Sequence, residues 1–270
     1  MQLKQMIIRE IIPHLKLKDA NISWSKRLYV YFSIVIQLWV ILIVCLYFLL
    51  PYIAKSSYHY NGVSFYLHNK VNEINANRYF EKTKDDIVKN SLYDQNENIE
   101  IHLLNDSAIY TMLNPIELLP NRQTFAVAQG SKVFLRKTDI LNNKAYASSN
   151  ANENLDAILV HEAVHVMQNN KYGLMYMSFK MPYWVKEGYA IYSARALSKY
   201  KEKVIVEYIK KSNDTDISKW NIFAQDQFYG FMVKHAIEKM LKSVDDLHLG
   251  RVTYDEVIDS LFSEYKFTKK

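Results

Sequence analysis

Residues Leu28–Leu50 read LYVYFSIVIQLWVILIVCLYFLL, 23 residues without a charged side chain. As a helix rising about 1.5 Å per residue, the run is roughly 34 Å long and covers a hydrocarbon core of about 30 Å. Ser33 and Gln37 are its clearest polar interruptions. Tyr29, Tyr31, Tyr47 and Tyr52 sit near its ends, where interfacial aromatics gather. A core helix of a soluble domain is a poor fit at this length with no charge. A cleaved signal peptide has an apolar core of about 7–15 residues that ends at small residues. This run is longer, and a tail of 27 residues precedes it. The sequence predicts an uncleaved signal anchor, with one transmembrane helix over residues 28–50.

Lys4, Arg9, Lys16, Lys18, Lys26 and Arg27 precede the span, whereas the twenty residues after it carry only Lys55 and Lys70. The excess of cations on one side predicts a cytoplasmic N-terminus and an extracytoplasmic remainder. It also accounts for most of the basic balance. The chain carries a formal +6, of which residues 1–27 hold +4 and residues 51–270 hold +2. A pI near 9.0 would otherwise suggest nucleic acid. No aromatic-basic motif supports that partner, and none is expected. The partners expected are the bilayer, through residues 28–50, and a peptide or protein. Leu3, Ile7, Ile11 and Leu15 share a helical face in the tail, but Pro13 interrupts it. An interfacial helix and an irregular tail both fit.

The only cysteine, Cys45, lies within the span. One thiol makes no intrachain disulfide and excludes cysteine-built zinc ribbons, so a metal site must draw on His, Asp and Glu. Residues 51–69 read as a polar and aromatic juxtamembrane segment, and residues 70–270 as one domain. Within it, Val71–Lys89 has the spacing of a surface helix, and Ile99, Ile101 and Leu103 alternate as a strand. Asn114-Pro115 and Leu119-Pro120-Asn121 mark a loop. Thr124–Gln129 and Lys132–Arg136 read as short strands around Gly130, and the pattern turns helical from Asn152. Strands followed by helices predict an α+β fold.

The chemistry is concentrated in LDAILVHEAVHVMQ, residues 155–168. It contains His161-Glu162-Ala163-Val164-His165, a pattern that chance places in about one chain in a hundred of this His and Glu content. Asn150 and Glu153 have capping-box spacing at the start of this helix. Histidines at i and i+4 project from one helical face, so both imidazoles can hold one metal ion, with Glu162 beside them to accept a proton. Further on, Glu187 lies early in an aromatic-rich helix behind Pro182. A carboxylate there suits either a metal or the helix dipole. His59, His68, His102, His235 and His248 are isolated and read as core or surface residues.

His161-Glu162-Ala163-Val164-His165 followed by Trp184-Val185-Lys186-Glu187-Gly188-Tyr189-Ala190 resembles the signature of gluzincin metallopeptidases, a group that includes thermolysin and the aminopeptidase N relatives. The resemblance covers residues 150–195. It implies a zincin-like domain, with a small mixed sheet, an active-site helix and a helical C-terminal part. It also implies Zn2+ held by His161, His165 and Glu187, with Glu162 as general base. Some gluzincins place an Asp four residues after the Glu ligand to orient a zinc histidine; here that residue is Ile191. The family often adds a Tyr or His as an oxyanion donor. Tyr229 is the candidate, although Tyr229, Val233, Ala236 and Met240 share a face that also suits the core; His235 is a lesser one. By fold analogy, the strand Lys132–Arg136 is expected to be the sheet edge that pairs with an extended peptide. The resulting expectation is a membrane-anchored zinc metallopeptidase. A degenerate peptidase fold serving as a tethered binding or assembly module is the alternative.

Overall fold

A computed structural model of the chain describes residues 24–69, 73–115, 124–147, 151–194, 203–207 and 222–265. The chain divides into two units, Met1–Leu50 and Pro51–Lys270. The first contains most of helix α1 (Trp24–Ile53). Its stretch Leu28–Ile53 is long and apolar enough to cross a membrane, and an 18-residue run within it has a mean hydropathy of 2.7. Apolar side chains along it face outward, including Phe32 at 66% and Phe48 at 64% exposure. Such a surface is costly in water. The tail, residues 1–23, lies outside the described residues.

The second unit is α+β, as expected. In chain order it contains β1 (Ser56–Tyr60), β2 (Val63–Leu67), α2 (Glu73–Val88), β3 (Ile99–Leu103), α3 (Ser107–Leu113), β4 (Ala126–Gln129), β5 (Lys132–Leu135), β6 (Lys137–Asp139), β7 (Lys144–Tyr146) and β8 (Asn152–Asn154). Helices α4 (Leu155–Tyr172), α5 (Leu174–Phe179), α6 (Tyr183–Ser193), α7 (Ile222–Glu238), α8 (Val244–His248) and α9 (Tyr254–Tyr265) follow. The main sheet has the order β1-β2-β3-β5-β4. Its central pairs, β2–β3 and β3–β5, are parallel, and its outer pairs are antiparallel hairpins. Strands β6, β7 and β8 form a small antiparallel sheet.

Three expectations change. Residues 51–69 contain β1 and β2, which belong to the main sheet: Val63, Phe65 and Leu67 enter the core while Ser64 and Tyr66 face the other side. Strand β5 is not an edge. Chain reversal at Gly130 (φ 59°) lays β4 against it, so β4 is the outer strand. The helical run begins at Leu155 rather than Asn152, because Asn152–Asn154 pair with β7. Asn154 is the cap, accepting from the Ala157 N–H, and Glu153 lies in β8. Asn150 and the Leu119-Pro120-Asn121 loop lie outside the described residues.

One apolar cluster joins the sheet to the helices. It includes Phe65, Ile101 and Val133 from the sheet, Phe80 from α2, Leu159, Ala163 and Val166 from α4, and Met232 from α7. Phe65 and Phe80 stack with ring centroids 4.4 Å apart. Helices α6 and α7 are the most extensively packed helix pair. Gly188 makes this possible: a Cβ there would lie 2.5 Å from the Tyr229 carbonyl oxygen and 2.9 Å from Val233 Cγ2. Gly188→Ala is therefore expected to wedge α6 from α7 and destabilise the fold by about 1–3 kcal/mol. A denaturant midpoint equal to wild type would refute this close contact.

Candidate metal centre

Backbone donors at the start of α4 are satisfied before the functional residues begin. Leu155 N–H donates to the Asn143 carbonyl (3.1 Å), Asp156 N–H to Asn143 Oδ1 (3.0 Å) and Ala157 N–H to Asn154 Oδ1 (3.2 Å). Tyr79 of α2 also donates to Asn143 Oδ1 (2.7 Å), which ties this end of α4 to its neighbour. Leu159, Ala163, Val164 and Val166 are then buried, leaving His161, Glu162 and His165 on the open side. Gly173, at φ 84°, ends the helix. The chain reverses through α5, and Pro182 precedes the helix that carries Glu187.

His161 Nε2 and His165 Nε2 lie 3.1 Å apart. Glu187 Oε2 is 3.5 Å from the first and 3.3 Å from the second. These residues form a group able to hold a metal ion, with all ligand atoms within 4.8 Å of one another. A tetrahedral ion with bonds of about 2.0–2.1 Å separates its ligand atoms by roughly 3.3 Å, so the three spacings suit such an ion. Lys186 Nζ holds the other carboxylate oxygen of Glu187 at 3.2 Å.

Charge in this cluster is strongly coupled. Burial disfavours the Glu187 carboxylate, but the neighbouring His165 and His161 outweigh it and hold the group well below its ordinary range. Burial likewise opposes the charged form of His165, yet Glu187 lifts it to about 9. Asp226 of α7 is pushed up to about 6 by burial and by the Glu187 charge.

A cavity of about 290 Å³ opens beside the cluster. His161, Glu162, Phe125, Ile158, Ile191 and Asp226 contribute to its wall. Asp226, which no sequence motif singles out, lies close to Tyr183, and its buried Oδ1 has no hydrogen-bond partner among the described residues. It precedes Tyr229 by three positions, a spacing that brings residues to one helix face. Tyr229 is half-buried, and its ring meets that of Tyr183 edge-on at 6.0 Å. The α7 residues that line the cavity are Asp226 and Gln227.

The position of Ile191 provides no polar partner for a ligand histidine. Gln168 does: its Oε1 lies 2.9 Å from His165 Nδ1. Its Nε2 reaches the Lys186 carbonyl at 3.2 Å and His248 Nε2 at 2.9 Å. Gln168 stands at i+3 from His165, so helical spacing was the available signal. Of the isolated histidines, His248 thus adjoins the centre through Gln168, whereas His59, His68, His102 and His235 engage other partners. His102 is buried in the sheet beside His68, with 3.3 Å between ring nitrogens, and His59 bonds Ser57 and Ser64. Both ring nitrogens of His235 are engaged by α9, through Ser260 (3.0 Å) and Glu264 (3.1 Å).

No protein-family model matches the chain, and no curated protein matches it significantly. The chemistry of this centre therefore rests on its own geometry.

Metal binding must displace the proton that Glu187 draws onto His165. Metal affinity is expected to rise with pH up to about 9. The sign for stability is opposite. A His pKa raised from 6.5 to about 9 stabilises the metal-free fold fully below 6.5 and ceases to do so as pH rises through 9. Thermal melts of metal-free and zinc-loaded chain in detergent check this: only the metal-free midpoint should fall across that window.

Proposed function

We propose that this chain is a membrane-anchored zinc metallopeptidase with a zincin-like catalytic domain. The observation that carries the reading is the convergence of His161 Nε2, His165 Nε2 and Glu187 Oε2 at spacings of 3.1–3.5 Å. Two imidazoles and one carboxylate are a donor set suited to catalytic zinc, with a coordination position left for water. The cavity beside them gives a substrate access to Glu162.

Zinc held by His161, His165 and Glu187 would supply Lewis acidity toward water and toward a peptide carbonyl. Glu162 accepts the proton of the attacking water and passes it to the departing amine. Tyr229 is the proposed second donor to the developing oxyanion, one helical turn beyond the cavity-lining Asp226. The peptide is proposed to pair with β4, since Ala126 at its start and Thr124 and Phe125 just before it line the cavity. The cations before residue 28 support an N-terminus in the cytoplasm and a catalytic domain on the other side of the membrane.

Glu162→Gln is expected to keep stoichiometric zinc and to lower peptide cleavage at least about 100-fold. A peptide-library digest by full-length chain in detergent measures this, and unchanged cleavage would defeat the assignment. A tethered binding module, by contrast, has no use for a base at Glu162 and would show zinc without turnover in the wild type. Tyr229→Phe is expected to lower kcat about 100-fold with little change in KM; an unaltered kcat would return Tyr229 to a packing role.

A further inference from the structure

We infer that His248 is a positioning residue for the metal centre: acting through Gln168, it sets which ring nitrogen of His165 is free to bind metal. This inference rests on the metal-centre reading above. It follows from hydrogen-bond polarity along a chain of four contacts.

The Val244 carbonyl can only accept. His248 Nδ1, 2.8 Å away, must therefore carry the hydrogen. The neutral ring then presents a lone pair at Nε2, and burial, which lowers the His248 pKa to about 4, keeps it neutral. The Gln168 amide nitrogen, 2.9 Å from that lone pair, donates to it. Its second hydrogen goes to the Lys186 carbonyl at 3.2 Å. With both amide hydrogens committed, the Gln168 oxygen is the atom that faces His165 Nδ1 at 2.9 Å. That oxygen accepts, so His165 carries its hydrogen on Nδ1. Once the proton shared with Glu187 has left, the Nε2 lone pair points at Glu187 and His161.

The relay is rigid. Gln168 and His248 are both fully buried. The His248 ring is stacked on Tyr172 at 4.9 Å and meets Tyr189 edge-on at 4.8 Å. A lone glutamine amide can rotate by half a turn and present its NH2 group to His165, which would favour the wrong tautomer. Two fixed acceptors, His248 Nε2 and the Lys186 carbonyl, oppose that rotation. The α8 helix thereby contributes to a centre whose ligands all lie on α4 and α6.

The test uses full-length chain in detergent, with His248→Phe, Gln168→Leu and the double variant. Phenylalanine keeps the ring between the tyrosines and removes the acceptor for Gln168 together with the Nδ1–H bond to the Val244 carbonyl. Zinc affinity, from chelator competition, is expected to fall about 10- to 100-fold in each single variant. The double variant should be no weaker than Gln168→Leu alone, because His248 acts only through Gln168. Nitrogen-15 spectra of metal-free protein at a pH above the His165 transition should show the Nδ1–H tautomer of His165 in wild type and a mixture in His248→Phe. Affinity within twofold of wild type in His248→Phe, or full additivity in the double variant, would overturn the inference. Absence of stoichiometric zinc from the wild type would instead defeat the metal-centre reading, and the nitrogen-15 tautomers would still decide the relay.

Discussion

Two imidazole nitrogens and a carboxylate oxygen within 4.8 Å of one another make a concentration of lone pairs that requires a cation or shared protons. The two histidines meet at no cost in chain entropy, because a helix places i and i+4 on one face. Glu187 comes from a separate helix, and its approach has to be enforced by packing. Helix α5 and the reversal at Gly173 return the chain toward α4. Helix α7, seated against Gly188, presses α6 into place.

The same arrangement separates two environments across one helix. One side of α4 supplies Leu159, Ala163 and Val166 to the core. The other presents His161 and Glu162 to a cavity walled by Phe125, Ile158, Ile191 and Asp226. Burial at this boundary raises the energetic cost of any unpaired charge, which is why Glu187 and His165 shift each other so strongly. The proposed hydrolysis would need that combination: a water-reachable carboxylate beside a donor set whose orientation does not relax.

Local signals in the chain vary in how far they reach. Leu28–Leu50 is legible because length and unbroken apolar character, the two properties a membrane span requires, are both local to the run. His161, Glu162 and His165 are legible because their spacing is local. Strands β1 and β2 carried a usable signal, the Asn61-Gly62 turn between Tyr60 and Val63, with Gly62 at φ 73°. The aromatic-rich polar character of β1, with two of its five residues exposed and none buried, masks it. The place of β5 within the sheet is not legible, for a different reason. Its residues read as a strand, but whether a strand lies inside a sheet or at its edge depends on which neighbour folds back onto it.

The sequence by itself determined the apolar span, the α+β order of elements and the histidine pair, since each depends on residues within a few turns of one another. Tertiary structure alone decided that Glu187 approaches those histidines, that β4 borders the cavity, and that Gln168 and His248 stand behind His165. Gln168 and His248 are 80 positions apart, and Asp226 and His161 meet from α7 and α4. Contacts of that kind come from the packing of whole helices, driven by non-directional apolar burial. No pattern along the chain encodes which polar atoms such packing brings face to face.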